Sequence, residues 1–163
     1  MIMKKSTKYD CKPELMFKEI LDPSNFQEIT EPLLSFIPLD NTEGYPTKWE
    51  ENDELHVNLI LFGVISLGKH SIKVVNIGKY HNGLYLIQSQ EGGEFTEIWN
   101  HDVIVERLDN DTTKYTDIIK LKAGLKTPFV WIFAKLFYWH RQRKWRKILK
   151  RKSEIPRFKY EIT

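Results

Sequence analysis

The chain has 163 residues, 41% hydrophobic and 29% charged, with a net charge of +3. This fits one soluble globular domain over residues 1–163 and excludes collagen-like, low-complexity and strongly disordered classes. A chain of this length buries roughly two thirds of its unfolded surface, so it needs neither a metal nor a disulfide to hold together.

The elements read as follows in chain order. Residues 1–10 are polar and basic, and no apolar stretch follows. The expectation is a cytoplasmic chain without a signal peptide. The lone cysteine, Cys11, can form no intrachain disulfide, which suits a reducing compartment. Residues 3–9 are a weak strand candidate. Lys12-Pro13 opens a short amphipathic helix over 13–21, with proline in the tolerated first turn. Asp22-Pro23-Ser24 is expected to stop it, and residues 25–29 are a second short helix candidate. Residues 33–39 form the next strand candidate.

Residues 54–62 alternate, with Leu55, Val57, Leu59 and Leu61 on one face and His56, Asn58, Ile60 and Phe62 on the other. Phe62-Gly63 and Ser66-Leu67-Gly68 mark a bend. Residues 69–80 read as a long strand. Asn82-Gly83 is a strong two-residue hairpin signal, and 84–90 returns. Gly92-Gly93 turns into 95–108, and Asp109-Asn110-Asp111 turns into 112–123. Consecutive hairpins make these strands antiparallel.

The period then changes. Thr127 is a candidate N-cap and Pro128 a first helical residue. Nothing breaks a helix from 128 to about 151, a length of about 36 Å. Phe129, Ile132, Phe133, Leu136, Phe137 and His140 share one face at helical spacing. One turn later that face becomes Arg143, Lys144 and Lys147. The expectation is therefore a buried first half and a solvated second half. Residues 129–139 are the longest nearly apolar run, but Lys135 interrupts it. A membrane span needs about 20 apolar residues. Residues 140–163 hold ten Lys/Arg and two Asp/Glu, a net of +8, so residues 1–139 carry −5. The basic helix end and tail, about 141–163, read as a solvated helix terminus favoured by the helix dipole. They also offer a weak docking patch for anionic membrane through Arg141, Arg143, Lys144, Arg146 and Lys147. Nucleic acid is the less favoured partner for this patch.

The element order is strand, two short helices, six antiparallel strands and one long helix. The sheet must cover one face, and the final helix is the only long apolar element left to do so. The fold class is α+β.

Several phrases carry a resemblance. They are Leu61-Phe62-Gly63 with Leu67-Gly68-Lys69-His70, then Trp99-Asn100-His101. Lys114-Tyr115-Thr116-Asp117 with Ala123-Gly124 follows, and last His140-Arg141-Gln142-Arg143-Lys144-Trp145-Arg146. In this order the chain resembles the SRPBCC superfamily, which includes START lipid-transfer domains, pollen-allergen relatives and polyketide cyclase/dehydratases. Together the phrases look like a bacterial branch of that superfamily. The resemblance implies a helix-grip fold: a curved seven-stranded antiparallel sheet around the C-terminal helix, with two short helices between strands 1 and 2. It also implies a hydrophobic tunnel between sheet and helix. It does not imply one activity.

A symmetric hairpin at 109–111 pairs Val105 with Tyr115, Val103 with Asp117, His101 with Ile119 and Trp99 with Leu121. This face is the more apolar one, so it is assigned inward. His101 and Asp117 become diagonal neighbours within side-chain reach. They are the candidate acid/base pair, the aspartate fixing the imidazole tautomer. The alternative is that they satisfy each other and do no chemistry. The expected ligand wall is Trp99, His101, Val103, Tyr115, Asp117 and Ile119, with His70 and Ile72 from the long strand. Phe129, Phe133, Phe137 and His140 of the helix complete it, His140 where the tunnel is expected to open. His56 is a weaker polar candidate.

No metal-ligand spacing, phosphate loop or nucleophile motif is present in the sequence, so neither metal nor cofactor is expected. The favoured reading is a binding protein for a small hydrophobic ligand, lipid-, sterol- or polyketide-like. The alternatives are a cyclase/dehydratase-type enzyme using His101 and Asp117, and a peripheral membrane or nucleic-acid module using the basic helix with Trp139 and Trp145.

Overall fold

The computed structural model describes residues 1–39 and 44–154. Strand β1 is Ile2–Tyr9, followed by helices α1 (Pro13–Ile20) and α2 (Pro23–Thr30). Strands β2 (Leu34–Pro38), β3 (Glu54–Leu61), β4 (Ile65–Tyr80), β5 (Leu84–Gly93), β6 (Ile98–Arg107) and β7 (Thr113–Lys122) come next. Helix α3, Thr127–Glu154, ends the described chain. Its 28 residues span about 42 Å at 1.5 Å per residue.

All seven strands form one antiparallel sheet in the order β1-β7-β6-β5-β4-β3-β2. This is the helix-grip architecture. Local chemistry explains the joints. Asp22 does not merely stop α1; its carboxylate accepts the Ser24 N–H at 2.9 Å and caps α2, with Pro23 in the first turn. Helix α2 therefore begins two residues before the sequence reading put it. The β4–β5 hairpin closes over three residues, His81–Gly83, and not the two of the sequence signal; Asn82 and Gly83 both have positive φ, 63° and 72°, a backbone these two residue types adopt most readily. At the far end of β5, a Cβ on Gly93 would lie 2.1 Å from the Lys69 carbonyl oxygen. Only glycine allows that approach, which holds the β5–β6 turn against β4 beside His70.

The β6–β7 register is the one derived from the symmetric hairpin: Val105 opposite Tyr115, Val103 opposite Asp117, His101 opposite Ile119 and Trp99 opposite Leu121. Alternation fixes this face inward, and all eight residues are buried.

Helix α3 corrects the sequence reading in two respects. Its buried face runs through Val130, Ala134, Phe137, Tyr138, Arg141, Gln142, Trp145, Ile148 and Leu149. Ile132 and Leu136 lie outside, 55% and 60% exposed. The second half is also not solvated throughout. Trp145, Ile148 and Leu149 pack with Tyr9, Met16, Ile29, Val103, Val105 and Tyr115. Two apolar stripes lie side by side on this helix, and the sheet takes the one with the small residue. Ala134, fully buried, lets the backbone approach the sheet closely.

Candidate functional site

The interior is filled at one end and hollow at the other. The cluster around Trp145 fills the β6–β7 side beneath α1 and α2. Toward the first turns of α3 and strands β2–β4, a cavity of about 420 Å³ opens. That size falls within the usual range of ligand pockets. Its walls are largely apolar: Leu34 and Phe36 of β2, Leu59 and Leu61 of β3, Leu67 of β4, Trp99 of β6, and Val130, Phe133 and Phe137 of α3. Phe129 also lines it and is 76% exposed, so the mouth lies at the N-terminal turn of α3.

The cavity sits on the β2–β4 side for a mechanical reason. Helix α3 touches β1 and β7, and a twisted seven-stranded sheet cannot follow a straight helix across its full width. The gap lies between α3 and the strands farther across the sheet.

A polar belt crosses the inner face between the hollow and filled ends. His70 on β4 places Nε2 3.5 Å from Glu91 Oε2 on β5, both well buried. The other Glu91 oxygen accepts the Ser89 hydroxyl. On β6 and β7, His101 Nε2 lies 2.7 Å from Asp117 Oδ1. Tyr115 donates its hydroxyl to the same oxygen at 2.7 Å, and Gln142 Nε2 donates to Asp117 Oδ2 at 2.7 Å. Gln142 is itself held by the Thr7 hydroxyl at 2.6 Å and donates to the Lys5 carbonyl at 3.1 Å.

Burial acts to raise the carboxyls of Glu91 and Asp117, but their partners outweigh it. His70, then His101 and Ser89, hold Glu91 below the usual carboxylate range. His101, then Arg141 and Gln142, do the same for Asp117. Burial pushes the hydroxyls of Tyr115 and Tyr138 well above the ordinary phenol range, so both remain O–H donors.

The expected ligand wall divides. Trp99, His70, Phe129, Phe133 and Phe137 line the cavity. His101 does not; its ring lies 5.1 Å from that of Tyr138, and Tyr138 is the residue at the cavity wall. Asp117 and Tyr115 lie behind it in the belt. Val103 packs in the filled end, and Ile119 packs in the core beside Leu121 and Ala134. Ile72 is buried opposite Leu55 and Glu91 without reaching the cavity. His140 marks no opening: its Nε2 pairs with the Glu31 carbonyl oxygen at 2.9 Å, at the surface and away from the mouth. His56 points outward toward Glu54 at 3.7 Å.

The basic patch also changes. Arg141 is only 6% exposed and Trp145 only 1%, so neither belongs to a docking surface. Arg143 stays outside, its guanidinium 4.5 Å from the Trp139 ring centroid. Lys144, Arg146 and Lys147 are at least partly exposed. The basic tail beyond residue 154 lies outside the described residues.

Sequence reasoning missed Glu91, Thr96 and Arg141 as cavity residues. Glu91 shares the inward face of β5 with Ser89 and Gly93, a signal hidden by its place before a Gly-Gly turn. Arg141 lies one turn after Phe137 and Tyr138, but its charge assigned it to the surface. Among the described residues, no group of three or more His, Cys, Asp or Glu is placed to hold a metal ion. No described helix is long and apolar enough to cross a membrane.

No family model and no curated protein sequence matches this chain. Solved structures do. A START superfamily protein from Mycobacterium smegmatis superposes with a TM-score of 0.61 at 11% identity, over 92% of this chain and 97% of that one. Norcoclaurine synthase from Thalictrum flavum, solved with dopamine and hydroxybenzaldehyde, gives 0.58 at 12% identity, over 93% and 87%. Ara h 8.0201 gives 0.54 at 11% identity, over 88% and 97%. The chain thus has the helix-grip fold seen in START-type and SRPBCC proteins, as the sequence phrases implied.

Proposed function

We propose that this helix-grip protein binds a small, mainly apolar molecule in the cavity between its sheet and α3. The observation that carries the reading is the 420 Å³ hollow itself. A core packed to the usual density of protein interiors leaves no room of that size. The remaining interior is packed, so the hollow is not a general failure of packing. Aromatic walls and a mouth at Phe129 suit an apolar ligand that enters past the start of α3. The norcoclaurine synthase structure, with its two small aromatic molecules, supports the reading by analogy of fold alone.

His101 and Asp117 enter this reading as the polar floor behind Tyr138. Each Asp117 oxygen already has a donor, and Tyr138 takes the place at the wall. The cyclase/dehydratase alternative would need His101 to reach a substrate.

The test is titration with the neutral fluorescent reporter N-phenyl-1-naphthylamine, on the wild type and on Leu61→Trp. Leu61 is a half-buried lining residue whose enlargement fills the hollow. We expect one reporter bound per chain, and about a tenfold or greater loss of affinity in the variant, corresponding to about 1.4 kcal/mol. Unchanged affinity in a folded Leu61→Trp protein overturns the reading.

A further inference from the structure

Three buried polar atoms on the cavity-lining residues have no hydrogen-bond partner among the described residues: His70 Nδ1, Thr96 Oγ1 and Arg141 Nε. Their residues are 5%, 3% and 6% exposed. Buried polar groups are nearly always paired, and each exception calls for an explanation. These three come from three separate parts of the chain: β4, the β5–β6 turn and α3. Their residues line one hollow. The remaining orphan among the described residues, Trp145 Nε1, belongs to the filled end and does not line it.

Arg141 is the most demanding of the three, because its guanidinium is always charged. It lies over two aromatic rings: the carbon of the guanidinium is 4.9 Å from the Tyr138 ring centroid and 5.7 Å from that of Phe137. Two carboxylates stand near enough to act on it, Glu91 of β5 and Asp117 of β7. Both have other partners. Asp117 takes His101, Tyr115 and Gln142. Glu91 takes Ser89 and faces His70. Each acid thus has its own histidine, and no ion pair joins either acid to Arg141. One interior cation is left with an open N–H, beside an apolar chamber. Lys126 also lines the chamber, but its ammonium lies over the Phe95 ring, 4.3 Å from the centroid.

We propose that the ligand is an amphipathic acid, its apolar body against the aromatic walls and its carboxylate held by Arg141, with the Thr96 hydroxyl as a second donor. The proposal rests on the cavity reading above and names the head group that reading leaves open. A singly charged head matches the one buried cation that lines the cavity among the described residues. A phosphate, with more charge and more acceptor oxygens, would ask for further donors. The imidazole of His70 turns Nε2 toward Glu91 and leaves Nδ1 without a partner among the described residues. That atom suits a hydroxyl elsewhere on the acid.

The experiment displaces N-phenyl-1-naphthylamine with decanoate, decanol and decylamine, three ligands of equal chain length. Apolar burial alone ranks decanol ahead of decanoate, because a carboxylate is harder to strip of water. The proposal predicts the reverse, with decanoate effective at concentrations about tenfold or more lower than the other two, the fold expected of a charge-assisted hydrogen bond. In Arg141→Met the decanoate advantage, measured against decanol and decylamine on the same variant, disappears. In Thr96→Val it shrinks severalfold. Equal displacement by all three in the wild type overturns the head-group proposal and leaves the cavity reading standing. So does a decanoate advantage that survives both substitutions. Should Arg141→Met fail to fold, the wild-type ranking and Thr96→Val decide. A reporter that does not bind the wild type at all overturns the cavity reading, and this proposal with it.

Discussion

Replacing Asp117 by Asn probes the polar belt with the least change in shape. The carboxylate receives two donors at Oδ1, from His101 and Tyr115, and one at Oδ2, from Gln142, all at 2.7 Å. An amide can keep its oxygen on only one side. With that oxygen toward His101 and Tyr115, its NH₂ faces the NH₂ of Gln142. Gln142 cannot turn to relieve this, because its oxygen receives the Thr7 hydroxyl and its nitrogen donates to the Lys5 carbonyl. The substitution loses one charge-assisted bond and sets two donors face to face in a site with no solvent exposure. A hydrogen bond to a charged group contributes about 1.5–3 kcal/mol, and an unsatisfied buried group costs a similar amount. We expect a loss of about 3 kcal/mol. For a chain of this size that lowers the Tm by about 6–12 °C. Thermal unfolding followed by circular dichroism at pH 7 measures it, with reporter titration alongside. Reporter affinity should change less than threefold, because Asp117 does not line the cavity. A Tm within 2 °C of wild type would refute the network. A stable variant that no longer binds reporter would refute the placement of the belt behind the wall.

Acid should weaken the fold through the same group. Asp117 is held below the ordinary carboxylate range, so its contribution is complete above the unfolded value of about 4 and is lost as pH falls through the lowered folded value. Urea midpoints from pH 6 to pH 2 should fall more steeply in wild type than in Asp117→Asn; parallel curves would contradict this. His101→Gln should lower the Tm by several degrees while reporter affinity holds, since His101 shares Asp117 but not the cavity wall; a loss of binding without a loss of stability would return His101 to the site. Trp145→Ala should cost about 3–5 kcal/mol, because Trp145 is 1% exposed at the centre of the filled end. A cost under 1 kcal/mol in urea unfolding would mean that this end is not packed.

The parts of the fold that depend on short-range pattern were legible in the chain. Alternation and the turn at 109–111 determine the β6–β7 register, because a slip of one residue would turn Trp99, His101 and Val103 outward. The same pattern brought His101 and Asp117 into contact distance. What could not be read was which residues the hollow touches. That depends on where the sheet parts from α3, a product of twist summed over seven strands. Hence Val103 and Tyr115, correctly inward, stand in the filled end, Ile119 packs in the core without lining the hollow, and Leu59, Leu61 and Leu67 stand at the hollow. The face of α3 was misjudged for a different reason. Its outer stripe, Ile132 and Leu136, is as apolar as its inner one, and the inner one carries Arg141. Charge normally marks a surface; here it marks the chamber.

The measurement that bears most directly on the account is native mass spectrometry of the protein purified from its own host, beside Leu61→Trp prepared in the same way. The account predicts a population carrying one additional small organic molecule, of mainly apolar character, in the wild type and its depletion in the variant. Wild-type protein found only at the mass of the bare chain, together with no uptake of N-phenyl-1-naphthylamine, would contradict it.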